Sequence, residues 1–320
     1  MSIWKGRNVF VTGASGLLGS NLTKTLIEKG AKVTVLLRDY VPESELIKSG
    51  NLKNVNIVSG SLEDYELILR ILNEYEIETV FHLGAQTIVP TANNNPLSTF
   101  NSNIKGTWNV LEACRIYGKI KAVIVASTDK AYGTQEVLPY TEEMELKGIF
   151  PYDVSKVCSD LIAQSYFKTF NLPIAVTRCG NIYGPGDLNF SRIIPAAIKA
   201  GLFDETLEIR SDGKFVRDYI FMDDVVSGNI KIAENIDKSR GEALNLSTNN
   251  RLSVSEAVDE VSKAMGKKIK LKVLNQAKNE IKDQYLSSEK ARKLLGWEAK
   301  HSIGDGLKET INWYKIHFRR

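Results

Sequence analysis

The sequence predicts an α/β fold with a doubly wound parallel sheet and a smaller mixed domain at its C-terminal end, and three observations support this prediction. Short apolar runs alternate with amphipathic segments through the first half of the chain. Several of these runs are apolar at consecutive positions, which is typical of strands covered on both faces. A glycine-rich turn joins the first apolar run to the first amphipathic segment, as in dinucleotide-binding domains.

The elements of the first half follow one another in a regular order. The predicted strands are the apolar runs 8–12, 32–37, 55–58, 79–83, 123–126 and 173–177. The predicted helices, which carry apolar residues at helical spacing, are 17–29, 64–74, 97–117 and a segment that begins near Pro151. Such alternation implies right-handed crossovers, so we expect a parallel sheet with helices on both faces.

The regular order ends after about residue 178. Gly, Pro, Asn and Asp crowd the stretch 180–189. The segments Ser253 to Met265 and Ser287 to Leu295 are predicted helices, and each begins with a serine suited to capping. We therefore predict a Rossmann domain over 1–180, to which 215–247 returns, and a ligand-binding domain over 181–320.

The composition excludes several classes of protein. The 320 residues carry a net charge of +4, and no basic stretch is long enough for a nucleic-acid surface. The three cysteines lack paired spacing and the three histidines do not cluster, so no metal site is expected. No apolar stretch could span a bilayer, and the first residues lack the apolar run of a signal peptide. We expect a cytoplasmic protein that binds neither nucleic acid nor membrane.

The turn after the first strand is a candidate dinucleotide site. Gly13, Gly16 and Gly19 follow a GxxGxxG spacing rather than the usual GxGxxG. Glycines at such a turn let the backbone approach a pyrophosphate, which then meets the free N–H groups of the helix N-terminus. The position of the turn, between the first strand and the first helix, favours dinucleotide binding over a packing role.

The end of the second strand bears on the choice of dinucleotide. An acid there usually binds the ribose hydroxyls of NAD, whereas an arginine accommodates the extra phosphate of NADP. This chain has Leu37 at that position, followed by Arg38 and Asp39. The missing acid and Arg38 favour NADP. Alternatively, Arg38 is a solvated charge and Asp39 binds the ribose.

Tyr152 and Lys156 form a candidate catalytic pair. They are four residues apart at the start of a predicted helix, so they share one face. A nearby ammonium lowers the pKa of a phenol by favouring its charged form. A tyrosine in this setting can act as a general base toward an alcohol. The alternative is an ordinary surface pair, but the glycine turn upstream favours the catalytic interpretation.

Motifs along nearly the whole chain resemble the extended short-chain dehydrogenase/reductase family, which contains the nucleotide-sugar epimerases and dehydratases. They are TGASGLLGS (12–20), HLGAQ (82–86), NIKGTWNVLEACR (103–115), YDVSK (152–156), RDYIFMDDVV (217–226) and DQYLSSEKARKLLGW (283–297). The stretch 178–195 is most similar to CDP-glucose 4,6-dehydratases, and LGAQ is also similar to GDP-mannose 4,6-dehydratases. The resemblance implies cofactor contacts from Gly13, Ser15, Gly16, Leu17, Leu18, Gly19, Arg38, Asp39, Leu83, Ala85, Tyr152 and Lys156.

The resemblance also implies a reaction. In such dehydratases the tyrosine takes the carbon 4 hydroxyl proton of a nucleotide sugar while hydride passes to NAD(P)+. The ketone makes the carbon 5 proton acidic, water leaves from carbon 6, and hydride returns to carbon 6. The product is a 4-keto-6-deoxy sugar nucleotide.

The stretch ASTDKAYG (126–133) follows an apolar strand and acquires roles from this resemblance. Thr128 would bond the carbon 4 oxygen, and Asp129 would be the acid that expels water. Lys130 stands where many dehydratases carry a glutamate as the carbon 5 base, although CDP-glucose dehydratases resemble this chain in having Asp-Lys there. Lys130 would act as a neutral base or as a cation that stabilises the enolate. The alternative is a surface Asp–Lys salt bridge.

The substrate contacts are implied in the same way. Asn181, Arg192 and Arg217 match family positions that hold the diphosphate, although each arginine could instead form a structural ion pair. Gln86, with Thr87, would line the sugar pocket or pack a loop. Helices near 97–117 and 151–168 pair with their mates in related homodimers, so a homodimer is implied; the alternative is burial of these faces within the monomer.

Two rival functions are open at this point. A nucleotide-sugar 4-epimerase uses the same tyrosine, lysine and cofactor, but it usually lacks the acid–base pair at 129 and 130. A non-catalytic dinucleotide-binding regulator would share the scaffold, because fold does not fix function. Such regulators usually lose the tyrosine or the lysine, and this chain retains both.

Overall fold

A seven-stranded parallel sheet forms the larger part of the molecule, in a computed structural model that describes residues 2–248, 251–276 and 280–319. The strands, in chain order, are β1 (Asn8–Thr12), β2 (Lys32–Leu37), β3 (Asn56–Ser59), β4 (Thr79–His82), β5 (Ala122–Ala126), β6 (Ile174–Cys179), β7 (Asn181–Tyr183), β8 (Thr206–Ile209), β9 (Val216–Phe221), β10 (Ala243–Leu246), β11 (Arg251–Ser253), β12 (Lys270–Val273) and β13 (Asp283–Gln284). The large sheet has the order β10-β6-β5-β4-β1-β2-β3, and all its pairs are parallel.

Helices cover both faces of this sheet, and others pack in the smaller part of the molecule. In chain order they are α1 (Leu17–Glu28), α2 (Glu45–Lys48), α3 (Tyr65–Glu74), α4 (Val89–Asn94), α5 (Pro96–Phe100), α6 (Gly106–Tyr117), α7 (Pro151–Phe170), α8 (Ile193–Phe203), α9 (Met222–Glu234), α10 (Ile236–Ser239), α11 (Val254–Met265), α12 (Glu289–Leu295) and α13 (Ile303–His317). One buried apolar cluster joins α1 and α9 to the sheet, and a second joins α3, α6 and α7 to its other face. The predicted doubly wound α/β class is therefore confirmed.

The smaller part of the molecule is mixed. Strand β9 pairs with β7 and β13 in parallel and with β11 in the antiparallel direction, while β8 pairs with β12. A third apolar cluster packs α8, α11 and α13 around this region. Within the segment 215–247, β9 joins the small sheet, whereas α9 packs on the large sheet and β10 forms its edge strand. The division of the chain near residue 180 stays a prediction.

Helix α7 is fixed to the large sheet by a buried ion pair. Its first residue is Pro151, which suits a position where no backbone N–H is needed. Further along, Asp160 accepts two hydrogen bonds from Arg178 of β6, at 2.8 and 3.0 Å. Both side chains are buried, so this bidentate contact holds the helix in one position against the strand. No helix within the described ranges is both long and apolar enough to cross a lipid bilayer.

Candidate active site

A cleft of about 1410 Å³ follows the carboxyl edge of the large sheet and extends to the small mixed region. The ends of parallel strands meet at this edge, where α/β proteins commonly bind ligands. Residues that follow β1, β2, β4, β5 and β6 line one part of the cleft, and residues of α8 and β9 line another. No group of His, Cys, Asp or Glu side chains in the described part of the chain is arranged to hold a metal ion.

The glycine turn forms a narrow cradle at one end of the cleft. Gly13 has φ of 72°, and a Cβ added there would lie 2.7 Å from the backbone nitrogen of Gly84. A Cβ on Gly19 would overlap the carbonyl oxygen of Gly13. The two glycines thus let the turn pack tightly against the end of β4 and the start of α1, as in the turns of dinucleotide-binding domains. The sequence-predicted residues that line this part of the cleft are Gly13, Ser15, Gly16, Leu17, Leu18, Gly19, Leu83 and Ala85.

Arg38 and Asp39 lie at the rim, just after β2. The Arg38 guanidinium contacts the Asp39 carboxylate at 2.7 Å, and both side chains are mostly exposed. Both residues line the cleft. Their position suits contacts to the ribose end of a dinucleotide, and the pair offers a cation and an anion at the same place.

Tyr152 and Lys156 are both buried and both line the cleft. The Lys156 ammonium donates a hydrogen bond to the carbonyl oxygen of Ala126 at 2.7 Å, and burial lowers the pKa of Lys156 to about 8. Burial raises the pKa of Tyr152, whereas the positive charge of Arg192 and a hydrogen bond with Thr128 lower it. The predicted geometry of the pair is present, but the predicted electrostatics differ. Burial outweighs the neighbouring charges, and the main opposing cation is Arg192.

Asp129 is a buried acid at the end of β5. It stands in a 3₁₀ turn, Asp129–Tyr132, and is 3% exposed. Its Oδ1 accepts a hydrogen bond from the Thr128 hydroxyl at 3.0 Å. Its Oδ2 has no partner among the described residues, and burial raises the pKa of the carboxyl group. These features oppose a surface salt bridge and favour a carboxyl group that holds its proton.

Lys130 is held by a residue from a distant part of the chain. Its ammonium donates a hydrogen bond to the Oε1 atom of Gln284 at 3.2 Å, across 154 positions of sequence. Gln284 is buried in β13, and its Nε2 has no partner within the described ranges. The amide oxygen of Gln284 therefore holds Lys130 in the wall of the cleft.

The predicted phosphate-binding residues lie in the far part of the cleft. Arg217 is buried and donates hydrogen bonds to the carbonyl oxygens of Val216 and Lys282. Arg192 contacts Asp187 at 3.0 Å and remains partly exposed. Asn181 lines the same region, and its amide nitrogen lies 3.5 Å from the Asp218 carbonyl oxygen.

Gln86 is placed differently from its prediction. Its side-chain oxygen accepts a hydrogen bond from the backbone of Ile88 at 2.8 Å. Its backbone N–H donates to the Asn103 side chain, which in turn donates to the Gln86 carbonyl oxygen. These contacts match the loop-packing alternative, and the neighbouring Thr87 lines the cleft instead.

Sequence reasoning missed two buried polar residues at this site. Asp153 lines the cleft directly after Tyr152 and is 4% exposed. An acid in the first turn of a helix has an ordinary explanation in the helix dipole, so its position in sequence gave no functional signal. Gln284 lies within the resemblance motif DQYLSS, but its contact with Lys130 depends on the folding of the C-terminal segment.

The sheet order, the glycine cradle and the Tyr152–Lys156 pair define a class of protein, the extended short-chain dehydrogenases/reductases. Within that class, residues 10–310 match the family model described as GDP-mannose 4,6 dehydratase, and the chain belongs to this family.

Relatives of two activities resemble the chain. A UDP-glucuronate 4-epimerase of Thermodesulfobacterium geofontis is 31% identical over 95% of this chain and 95% of its own length. A CDP-glucose 4,6-dehydratase of Salmonella typhimurium is 29% identical over 99% of this chain and 93% of its own. The structure of a dTDP-glucose 4,6-dehydratase from Streptomyces venezuelae, with NAD bound, has a TM-score of 0.88, 26% identity and 97% coverage of both chains.

Other relatives are longer. The chain spans about half, 47%, of a trifunctional UDP-glucose 4,6-dehydratase, 3,5-epimerase and reductase of Arabidopsis thaliana, with 29% identity. The family thus includes 4,6-dehydratases and 4-epimerases of nucleotide sugars.

Proposed function

We propose that this protein is a nucleotide-sugar 4,6-dehydratase that converts an NDP-hexose into its 4-keto-6-deoxy derivative with internal hydride transfer. CDP-glucose is the first candidate substrate and GDP-mannose the second. The observation that carries the proposal is the Asp129 carboxyl group, buried beside the cleft with one oxygen free of described partners. A 4-epimerase needs no acid at carbon 6, whereas a dehydratase needs one to expel water.

Each of the following cleft residues has a separate role in the proposed reaction. Tyr152 takes the proton of the carbon 4 hydroxyl, while Thr128 bonds the carbon 4 oxygen and Lys156 supplies positive charge one helical turn away. The glycine cradle, with Gly13, Gly16 and Gly19, would hold a nicotinamide dinucleotide, which would supply the hydride chemistry at carbons 4 and 6. Asp129 donates a proton to the departing carbon 6 hydroxyl. Asn181, Arg192 and Arg217 hold the diphosphate.

The test is incubation with CDP-glucose, GDP-mannose, UDP-glucose and dTDP-glucose, each with NAD+ or NADP+. A dehydratase gives a product that is lighter by one water and absorbs in alkali because it carries a 4-keto group. An epimer of unchanged mass would establish the 4-epimerase alternative, which the similarity to a UDP-glucuronate 4-epimerase favours. Tight dinucleotide binding without turnover of any sugar nucleotide would instead support the regulator.

The cofactor is proposed to be NADP+, because Arg38 offers a guanidinium at the end of β2. The similar dTDP-glucose 4,6-dehydratase binds NAD, so NAD+ is the competing choice.

We expect Arg38→Ala to weaken NADP+ binding by about tenfold and to leave NAD+ binding nearly unchanged, since one charge-assisted contact is worth roughly 1.5 kcal/mol. Asp39→Ala is the matched control and should weaken NAD+ binding only. Binding of both dinucleotides is measured by calorimetry, and an unchanged NADP+ affinity in Arg38→Ala would refute the preference.

The assembly is proposed to be a homodimer through α6 and α7. These neighbouring helices expose Trp108, Ile116, Leu161 and Phe170, which are large apolar side chains. Exposed apolar clusters of this kind mark interaction surfaces. A cytoplasmic location also stays a prediction.

A further inference from the structure

Asp153 is a nearly buried acid in the wall of the cleft. It stands in the first turn of α7 and lines the cleft beside Tyr152. The residue is 4% exposed, and its carboxylate oxygens are not among the fully buried polar atoms that lack a partner. The loop before the helix closes over it, since a Cβ on Gly148 would lie 2.9 Å from the Asp153 Cβ. A carboxylate with so little exposure loses most of its hydration, so its place at the cleft needs an explanation beyond packing.

The helix dipole does not supply that explanation. Acids in a first helical turn stabilise the helix from exposed positions as well as from partly buried ones, so the helix dipole does not require burial. The residue at the cap of α7 is Phe150, and no side chain caps the first turn. Asp153 is instead turned inward, toward the cleft. A surface role is therefore excluded, and a role toward a ligand in the cleft fits the burial.

Three ionisable groups surround Asp153 in the cleft. Asp129 and Lys130, from the turn after β5, and Tyr152, from its own helix, all interact with it electrostatically. Burial raises the pKa of Asp153 to about 6, and Lys130 opposes that rise. Asp153 is therefore ionised at neutral pH but basic enough to accept a proton. Burial also raises the pKa of the neighbouring Asp129, which suits it to the role of the acid.

Lys130 is placed to act as a cation. Its ammonium donates a hydrogen bond to the Gln284 oxygen and interacts electrostatically with the Asp153 carboxyl group. A cation at this place suits the stabilisation of an enolate.

We propose, on the basis of the proposed dehydratase function, that the Asp153 carboxylate removes the carbon 5 proton and that Lys130 acts as a cation. The carbon 5–hydrogen bond breaks, its proton passes to an Asp153 oxygen, and its electron pair forms the enolate of the carbon 4 ketone. The enolate then expels the carbon 6 oxygen, which leaves as water with a proton from Asp129. When hydride returns to carbon 6, the Asp153 carboxyl group returns its proton to carbon 5, so the carboxylate is restored. The carbon 4 hydroxyl proton that Tyr152 took replaces the proton that Asp129 gave to the departing water.

The experiment compares four variants with the sugar nucleotide that the wild-type enzyme dehydrates. Asp153→Asn should form reduced nicotinamide, seen by its absorbance, but should dehydrate at least about a hundredfold more slowly. Asp153→Glu should regain part of the rate. Lys130→Arg should dehydrate within about tenfold of the wild type because arginine keeps the charge. Lys130→Ala should oxidise carbon 4 but not dehydrate.

Opposite results overturn the assignment. Dehydration by Asp153→Asn at the wild-type rate would exclude it as the base. Loss of both oxidation and dehydration in Asp153→Asn would indicate a structural role only. Lys130 would be the base if two results were found together. Lys130→Arg would have to dehydrate as poorly as Lys130→Ala, and Asp153→Asn would have to retain dehydration.

A second measurement does not depend on turnover. The folded pKa of Asp153 is raised above the usual 3.8, so the wild type loses stability as pH rises toward and through about 6. Asp153→Asn should therefore unfold at a temperature a few degrees above the wild type at about pH 7.5, and close to it at about pH 4. A pH-independent difference would show that Asp153 does not ionise as proposed. The stability result and the dehydratase function can fail separately. If stability depends on pH as expected but the wild type dehydrates no sugar nucleotide, the proposed function is wrong, and so is the role of Asp153 as a base. The ionisation of a buried Asp153 carboxyl group would still be established.

Discussion

The Asp129 carboxyl group is the residue whose chemistry best separates the candidate functions. Its Oδ1 is bonded to Thr128 and its Oδ2 faces no described partner. We expect Asp129→Asn to preserve carbon 4 oxidation, because the asparagine oxygen can keep the Thr128 hydrogen bond. Loss of water should slow by about a hundredfold or more, since no proton donor remains for the carbon 6 hydroxyl.

The measurement is a burst of reduced nicotinamide absorbance with no 4-keto-6-deoxy product. Thr128→Val serves as the matched control: it removes the neighbouring hydroxyl while leaving the acid, and should slow oxidation instead. An Asp129→Asn variant that makes the dehydrated product at the wild-type rate would leave the site without an identified acid.

Residue spacing predicted the site only where local geometry decides it. Tyr152 and Lys156 share a face because they are one helical turn apart, and the structure has them so. Their protonation could not be predicted in the same way, because burial and the distant Arg192 dominate the Tyr152 pKa. Gln284 was missed because its contact with Lys130 joins distant parts of the chain, and Asp153 because an acid in a first helical turn has an ordinary explanation.

Among the elements, α7 carries Tyr152, Asp153 and Lys156, and the Asp160–Arg178 pair holds it against β6. Both partners are buried, and Arg178 also donates to the Tyr132 hydroxyl at 2.8 Å. We expect Asp160→Asn to lower the free energy of unfolding by about 3–5 kcal/mol, because it leaves a buried guanidinium without its counter-charge.

Urea denaturation measures this effect, and the exposed Arg70–Glu74 pair on α3 provides the control. Glu74→Gln should change the free energy of unfolding by less than about 0.5 kcal/mol, since exposed pairs are solvated and screened. Similar small losses for both variants would mean that the buried pair does not fix α7.

The starts of two helices show where local sequence signals were enough to predict a helix boundary and where they were not. Ser253 caps α11 in a complete capping box with Glu256, as the predicted serine cap requires. The predicted helix 287–295 begins instead at Glu289, and its cap residue Ser288 makes no side-chain capping bond. There the Ser287 hydroxyl accepts from the Glu289 N–H at 3.4 Å, whereas the Ser288 hydroxyl makes a tertiary contact and donates to the carbonyl oxygen of Ser247. A propensity cannot reveal a contact made across 41 positions.

At the scale of the whole molecule, the cleft exists because the chain crosses between its two parts. Strand β9 places Arg217 in the small sheet, and the next helix, α9, packs on the large sheet. The alternation of strands and helices predicted the large sheet well, since each crossover is local in sequence. The small mixed region has irregular spacing and pairs strands as distant as β8 and β12, so its topology was not predictable.

The apolar surface on α6 and α7 leads to a prediction about assembly. Trp108 is 44% exposed and Leu161 is 52% exposed, although both lie on helices that also bury an apolar face. If a second copy covers this surface, the double substitution Trp108→Glu and Leu161→Glu places four carboxylates in the interface and should dissociate it. Sedimentation equilibrium should give twice 35.7 kDa for the wild type and one such mass for the variant.

Ile316→Glu, at an exposed apolar position on α13, is the control and should remain dimeric. A monomeric wild type would refute the dimer, and a dimeric double variant would move the interface away from these helices.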